Sequence, residues 1–150
     1  MKRYFILLFA FLFAGCGEFV KVGGKVVYQD GTPVKAGIVY FENDTNAYRG
    51  TVQEDGSFRL GRYKDGDGIP KGKYDAYITG SYDEEFSETT GAIIKRTFYL
   101  DQKYQDKHKS GLSFEITKTI KDLAIIVDKP TTPVFENKQP QDKKINIPLP

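Results

Sequence analysis

Beyond its first 16 residues, the chain carries its apolar side chains in short runs or strict alternation, and no stripe of 3.6-residue period persists for ten residues. A helix without such a stripe has no face to bury, so strands must supply the core. Val26-Val27-Tyr28 and Ile38-Val39-Tyr40-Phe41 are β-branched and aromatic, with the turn cluster Asp30-Gly31-Thr32-Pro33 between them. Thr51-Val52 and Phe58-Arg59-Leu60 flank Glu54-Asp55-Gly56-Ser57. Asp-Gly there supplies the positive backbone angles of a tight turn, so this stretch reads as a hairpin. Tyr74, Ala76 and Ile78 share one face of a strand. Leu112, Phe114 and Ile116 alternate with Ser113, Glu115 and Thr117 on another. Leu123 to Val127 is apolar without interruption, the pattern of a strand covered on both faces. Several short strands separated by turn signals predict an all-β fold, an antiparallel β-sandwich of about seven strands.

The ends behave differently. Lys2-Arg3, an apolar run from Tyr4 to Phe13, and then Ala14-Gly15-Cys16 follow the order of an export signal. The run stops at Gly17-Glu18, short of the about 20 residues that a membrane-spanning helix needs. Phe13-Ala14-Gly15-Cys16 resembles the bacterial lipobox. That resemblance implies cleavage before Cys16, a diacylglycerol thioether on its sulfur and an acyl chain on its amine. Two or three chains hold a protein firmly to a bilayer where one binds marginally. Cys16 is also the only cysteine in the chain, which leaves no internal disulfide to explain it. Residues 1–15 are thus expected to be a signal, 16–21 a lipidated linker and 22–128 the sandwich. Residues 129–150, with five of the seven prolines, are expected to form a flexible tail. Ser81 to Lys109 reads as a long excursion between two strands, with a short helix or strand around Ile93 to Leu100.

Three further motifs occur in order. Val22-Gly23-Gly24-Lys25-Val26-Val27-Tyr28 leads through Asp30-Gly31-Thr32-Pro33-Val34 to Gly37-Ile38-Val39-Tyr40-Phe41. Asp55-Gly56-Ser57-Phe58 and Gly72-Lys73-Tyr74 follow. Together they resemble carboxypeptidase regulatory-like domains of the transthyretin-like (prealbumin-like) group. Gly66-Asp67-Gly68-Ile69-Pro70-Lys71-Gly72-Lys73-Tyr74, Lys103-Tyr104 and Ser110-Gly111-Leu112 are similar to segments of a narrower set, small lipoproteins of planctomycetes and related bacteria. The resemblance spans about Val22 to Val127. It implies a prealbumin-like sandwich and an exported location.

Chemistry-bearing clusters are sparse. Asp65-Gly66-Asp67-Gly68 is the one acidic loop that suggests a hard cation, but an EF-hand count from Asp65 meets Ala76 where a Glu is required. A solvated turn explains Asp65 and Asp67 better. His108 is the single histidine and cannot build a metal site alone, and Ser110 beside it lacks an orienting third group. Tyr48-Arg49-Gly50 is internal and lacks the Ser that closes the motif of transthyretin-like hydroxyisourate hydrolases, so that activity is excluded. Tyr63, Tyr77, Tyr82, Tyr99 and Tyr104 could stack on sugars or peptides, or pack across strands. Lys25 and Asp128 would be the pair for an isopeptide bond of the kind found in collagen-adhesin domains.

With Lys2 and Arg3 removed, 20 basic residues face 20 acidic ones, which argues against nucleic acid as a partner. The sequence therefore predicts a non-enzymatic module without cofactor, apart from the lipid on Cys16. It would be anchored on the exported side of a bacterial membrane. Gly17 in place of the Asp retention signal favours the outer membrane. The expected partner is an envelope protein, peptide or polysaccharide. The alternative is an accessory subunit or regulatory module of a partner envelope enzyme.

Overall fold

A computed structural model of the chain describes residues 18–136; the expected signal, Cys16 and the end of the proline-rich tail lie outside this range. The described residues are almost entirely β, as the alternation predicts, with a single turn of 3-10 helix at Gln102–Gln105. Strands β1 (Phe19–Val20), β2 (Val22–Tyr28), β3 (Gly37–Glu42), β4 (Ala47–Val52), β5 (Ser57–Arg59) and β6 (Ile69–Pro70) come first. They are followed by β7 (Gly72–Thr79), β8 (Tyr82–Phe86), β9 (Ile93–Phe98), β10 (Leu112–Ile116), β11 (Ile120–Val127) and β12 (Val134–Glu136). Two sheets form the sandwich, one in the order β10-β7-β3-β4 and the other in the order β11-β2-β5. They meet at a corner where Arg49 and Gly61 exchange backbone hydrogen bonds of 3.0 and 2.9 Å.

Period-2 alternation decides which residues fill the interior. On β3, Val39 and Phe41 point inward, and on β7 Tyr74, Ala76 and Ile78 do so; all five are buried. Phe58 comes in from β5, and Val22 and Val26 from β2. Aromatic rings lock the centre. Phe41 stacks on Phe114 at 5.1 Å, and Tyr48 meets Tyr74 edge-on at 5.8 Å. The Tyr74 hydroxyl is satisfied by donating to the Pro70 carbonyl at 2.7 Å, so its burial leaves no orphaned polar atom.

Several sequence expectations need correction. The two sandwich sheets hold the expected seven strands, but among the described residues five further short strands pair outside them, as β1-β6 and β12-β9-β8. The sandwich is not wholly antiparallel: β11 runs parallel to β2, with Ala124 opposite Lys25 and Ile126 opposite Val27. Leu123 to Val127 is covered on one face only. Ile125 and Val127 are buried, whereas Ile126 is 58% exposed, because alternation turns it to the outer face of its sheet, away from the core. The expected hairpin does turn at Gly56, whose φ is +77°, but β5 takes its regular ladder from β2 rather than from β4. The linker expected over 16–21 includes Val20, which is buried in the core beside the β1–β6 pair. The excursion does carry a strand where one was expected, β9, but it pairs with β8 as a hairpin and is followed by the 3-10 turn. The stretch after Lys129 contributes β12 to that hairpin. Prolines suppress a ladder by lacking a donor, but residues 134–136 contain none, and the Pro133 carbonyl still accepts the Phe98 N–H at 2.7 Å.

Candidate functional site

The turn at residues 61–68 joins the two sheets and is built around an internal anion. Asp67 accepts the backbone N–H groups of Arg62, Tyr63 and Lys64 at 2.7, 3.2 and 3.4 Å. Burial pushes its pKa upward, but these three donors prevail and hold the carboxyl below its usual value. Space at the turn is minimal. A Cβ on Gly61 would lie 1.9 Å from the Lys64 carbonyl oxygen and 2.2 Å from the Asp67 carboxylate. The neighbouring Asp65 accepts the Thr51 N–H at 3.1 Å. The two carboxylates weighed from sequence as weak cation candidates, and read there as a turn, are thus engaged with backbone. Among the described residues no three His, Cys, Asp or Glu side chains converge as a metal site. What the turn does instead is hold Arg62, Tyr63 and Lys64 outward, with Tyr63 84% exposed and the Arg62 guanidinium 5.5 Å from its ring.

From this turn a groove of about 960 Å³ runs across the outer face of β11-β2-β5. Strand register identifies its floor. Gly23 faces Arg59, Lys25 lies between Ser57 and Ala124, and Val27 lies beside Ile126. Gly23 brings no side chain, which keeps the floor low. The wall on the β11 side comes from an irregularity between Ile120 and Leu123, where Lys121 and Asp122 depart from the ladder. That departure is possible because the Leu123 backbone closes onto Gly24: a Cβ at position 24 would sit 1.9 Å from the Leu123 carbonyl oxygen.

Charge is distributed unevenly over the fold. Eight ion pairs occur among the described residues, and only Lys25–Asp55, at 3.4 Å, involves a groove residue. Lys21, Arg59, Lys64 and Lys121 line the groove with no described carboxylate within 4.0 Å. Arg49 and Arg62 extend the same unpaired positive edge into an adjoining pocket of about 220 Å³. Asp55, at the rim, is held at about 2 by the Ser57 hydroxyl and N–H and then by Lys25, so it stays ionised at neutral pH. A chain with a formal net charge of only +2 therefore presents a groove in which Lys21, Lys25, Arg59, Lys64 and Lys121 outnumber Asp65 and Asp122, with Val27, Ile120 and Ala124 as its apolar part.

The other sequence candidates serve the fold or stand apart from the groove. Lys25 and Asp128 are not a pair. Lys25 faces Asp55, while Asp128 accepts from Lys103 at 2.6 Å, Tyr104 at 2.9 Å and Gln29 at 2.7 Å. The Tyr104 hydroxyl in turn accepts the Asp128 N–H at 3.0 Å, so Lys103-Tyr104 clamps the end of β11. Tyr77 stacks on Tyr40 at 4.9 Å and donates to Glu42. Tyr82 and Phe98 sandwich with Arg96 on the hairpin, and Tyr99 donates to Asp83. His108 sits in a turn, where its N–H is taken by Asp106. Ser110 is buried and donates to the Ala76 carbonyl, a structural bond. Sequence reasoning missed the groove cations altogether. Among the described residues no helix is long and apolar enough to cross a membrane. Comparison of the chain with family models, curated proteins and solved structures finds no match to any.

Proposed function

We propose that this chain is an exported bacterial lipoprotein, tethered through lipid on Cys16, whose sandwich is a non-catalytic binding module. The groove over β11-β2-β5 is the surface with which it holds a partner in the cell envelope. The observation that carries the binding reading is the concentration of unpaired cations along a concave, partly apolar face. Isolated surface charges are cheap, but a cleft in which Lys21, Lys25, Arg59, Lys64 and Lys121 outnumber Asp65 and Asp122 raises the local concentration of anions. The tether rests on the order of basic residues, apolar run and Phe13-Ala14-Gly15-Cys16. We also read the chain as similar to carboxypeptidase regulatory-like domains. In support, Asp30-Gly31 and Asp55-Gly56 form tight turns with positive φ at the glycines, and Gly72-Lys73-Tyr74 opens β7.

Two experiments test the parts separately. Cys16→Ala should move the protein from the membrane pellet to the soluble fraction, since it removes the acyl attachment site. Retention of the variant in the pellet after a carbonate wash would sink the tether. For binding, a photo-crosslinking residue is placed at Ser57 on the groove floor, and in a second variant at Ser113 on the outer face of the other sheet. Adducts formed in native cells from position 57 and not from 113 are expected. Equal yields from both would overturn the groove as the binding surface.

A further inference from the structure

We infer that the groove's occupant is an extended acidic segment of a partner polypeptide, an inference that rests on the groove being the binding surface. Lys21, Arg59, Lys64 and Lys121 stand on opposite sides of the floor, the first and last near the start of β11 and the middle two on β5 and the 61–68 turn. Carboxylates at neighbouring positions of an extended strand point to opposite sides and would meet both walls. The floor between them offers Gly23, Val27 and Ala124, small or apolar positions over which a backbone with small aliphatic side chains can lie, and Lys25, which Asp55 already pairs. Lys21 to Val27 is long enough for a bound segment of about six residues at about 3.3 Å each.

A polysaccharide fits less well. Binding sugar hydroxyls calls for many neutral donors and acceptors, and the groove lining contains no Asn or Gln. A sugar face also calls for an exposed aromatic ring on the floor. The one aromatic residue there is Phe58, which is 2% exposed and turns its side chain into the core. The combination of mainly cationic walls with a floor that has no exposed aromatic ring and no amide side chain selects carboxylates on a peptide over carboxylates on a glycan.

The test titrates the purified full chain with a synthetic peptide of Glu-Glu-Val repeats, which carries Glu on both sides of an extended strand, with its Gln-Gln-Val counterpart, and with polygalacturonate. The Glu peptide should bind, weakening by about tenfold or more when Arg59 and Lys64 are both changed to Glu. Lys73→Glu, on the outer face of the other sheet, should leave binding unchanged. The Gln peptide should bind at least about tenfold more weakly than the Glu peptide. Failure of the Glu peptide to bind, equal binding of both peptides, or preference for polygalacturonate overturns the acidic-peptide inference. If position-57 adducts still form in cells, only the ligand class has failed. If they do not, the binding surface has failed with it.

Discussion

Gly24→Ala tests the closure of the sandwich. Position 24 lies in β2, its φ is not in the left-handed region, and Ala is a sterically ordinary residue for such a strand. The whole penalty is therefore one of space. The added Cβ would lie 1.9 Å from the Leu123 carbonyl oxygen, 2.6 Å from its carbonyl carbon and 2.8 Å from its Cα. An ordinary carbon–oxygen contact is about 3.3 Å, so β11 must withdraw by about 1.4 Å. The obstacle is backbone in a ladder, which cannot rotate away as a side chain could. Overpacking alone costs about 1–3 kcal/mol, and loss of about two ladder hydrogen bonds adds about 1 kcal/mol each. We expect a loss of about 3–5 kcal/mol, a fall in Tm of roughly 12–20 °C for a domain of this size. Gly31→Ala is the control. Gly31 has φ +82° with nothing within 4 Å of its added Cβ, so it should lose only the conformational term of about 1–2 kcal/mol. Urea unfolding followed by circular dichroism and tyrosine fluorescence measures both. A Gly24→Ala chain as stable as the Gly31→Ala chain would refute the close approach of β11 to β2.

Phe58→Ala should cost about 3–5 kcal/mol and Ser57→Ala almost nothing, since the two face opposite sides of β5; equal denaturation midpoints would show the register to be wrong. Alkaline stability should fall late. Burial, reinforced by Tyr48, raises Tyr74 to about 12; burial and then Glu42 raise Tyr77 to about 12; the Asp83 hydrogen bond and then burial raise Tyr99 to about 12. Their contribution is complete below the unfolded value of about 10 and is lost as pH rises through about 12. Tyrosinate absorbance should rise in at least two steps, and a single transition near the unfolded value would contradict these environments. Truncation after Lys129 removes β12, whose three side chains are all exposed, so it should cost about 1 kcal/mol or less. Amide exchange should accelerate at Phe98, which loses the Pro133 carbonyl; an unchanged Phe98 rate would mean that β12 is not paired in solution.

Local chemistry was legible in the sequence and long-range chemistry was not. Asp55-Gly56 and the alternation through Tyr74, Ala76 and Ile78 depend on neighbours a few residues away, so turn, strand and inward face could all be read. The parallel pairing of β11 with β2 joins segments about a hundred residues apart, and no local pattern specifies it. The uninterrupted run at Leu123 to Val127 suggested double coverage, because apolar composition cannot tell a central strand from an edge strand with one bare face. The groove was hidden twice over. Its cations come from four separate places in the chain, and a total formal charge of only +2 masked their convergence. The Lys103-Tyr104 pair was noticed as a resemblance, but its role appeared only with Asp128, which the fold carries to it. Prolines around β12 suggested an absence of ladder bonds, although a proline carbonyl accepts as well as any other.

The parallel run of β2 and β11 also sets how the sandwich bears a load. Both strands start at the same end, so the entry of β2 at Val22 and the exit of β11 at Val127 lie at opposite ends of one ladder. Tension drawn between those two points acts along the strands and strains the intervening hydrogen bonds together, as shear. An antiparallel closure would offer the same bonds one at a time, as a zip. Under force, survival is governed by the rate of crossing the unfolding barrier rather than by equilibrium stability. The grip of Lys103, Tyr104 and Gln29 on Asp128 lies at the very end where β11 would begin to slide.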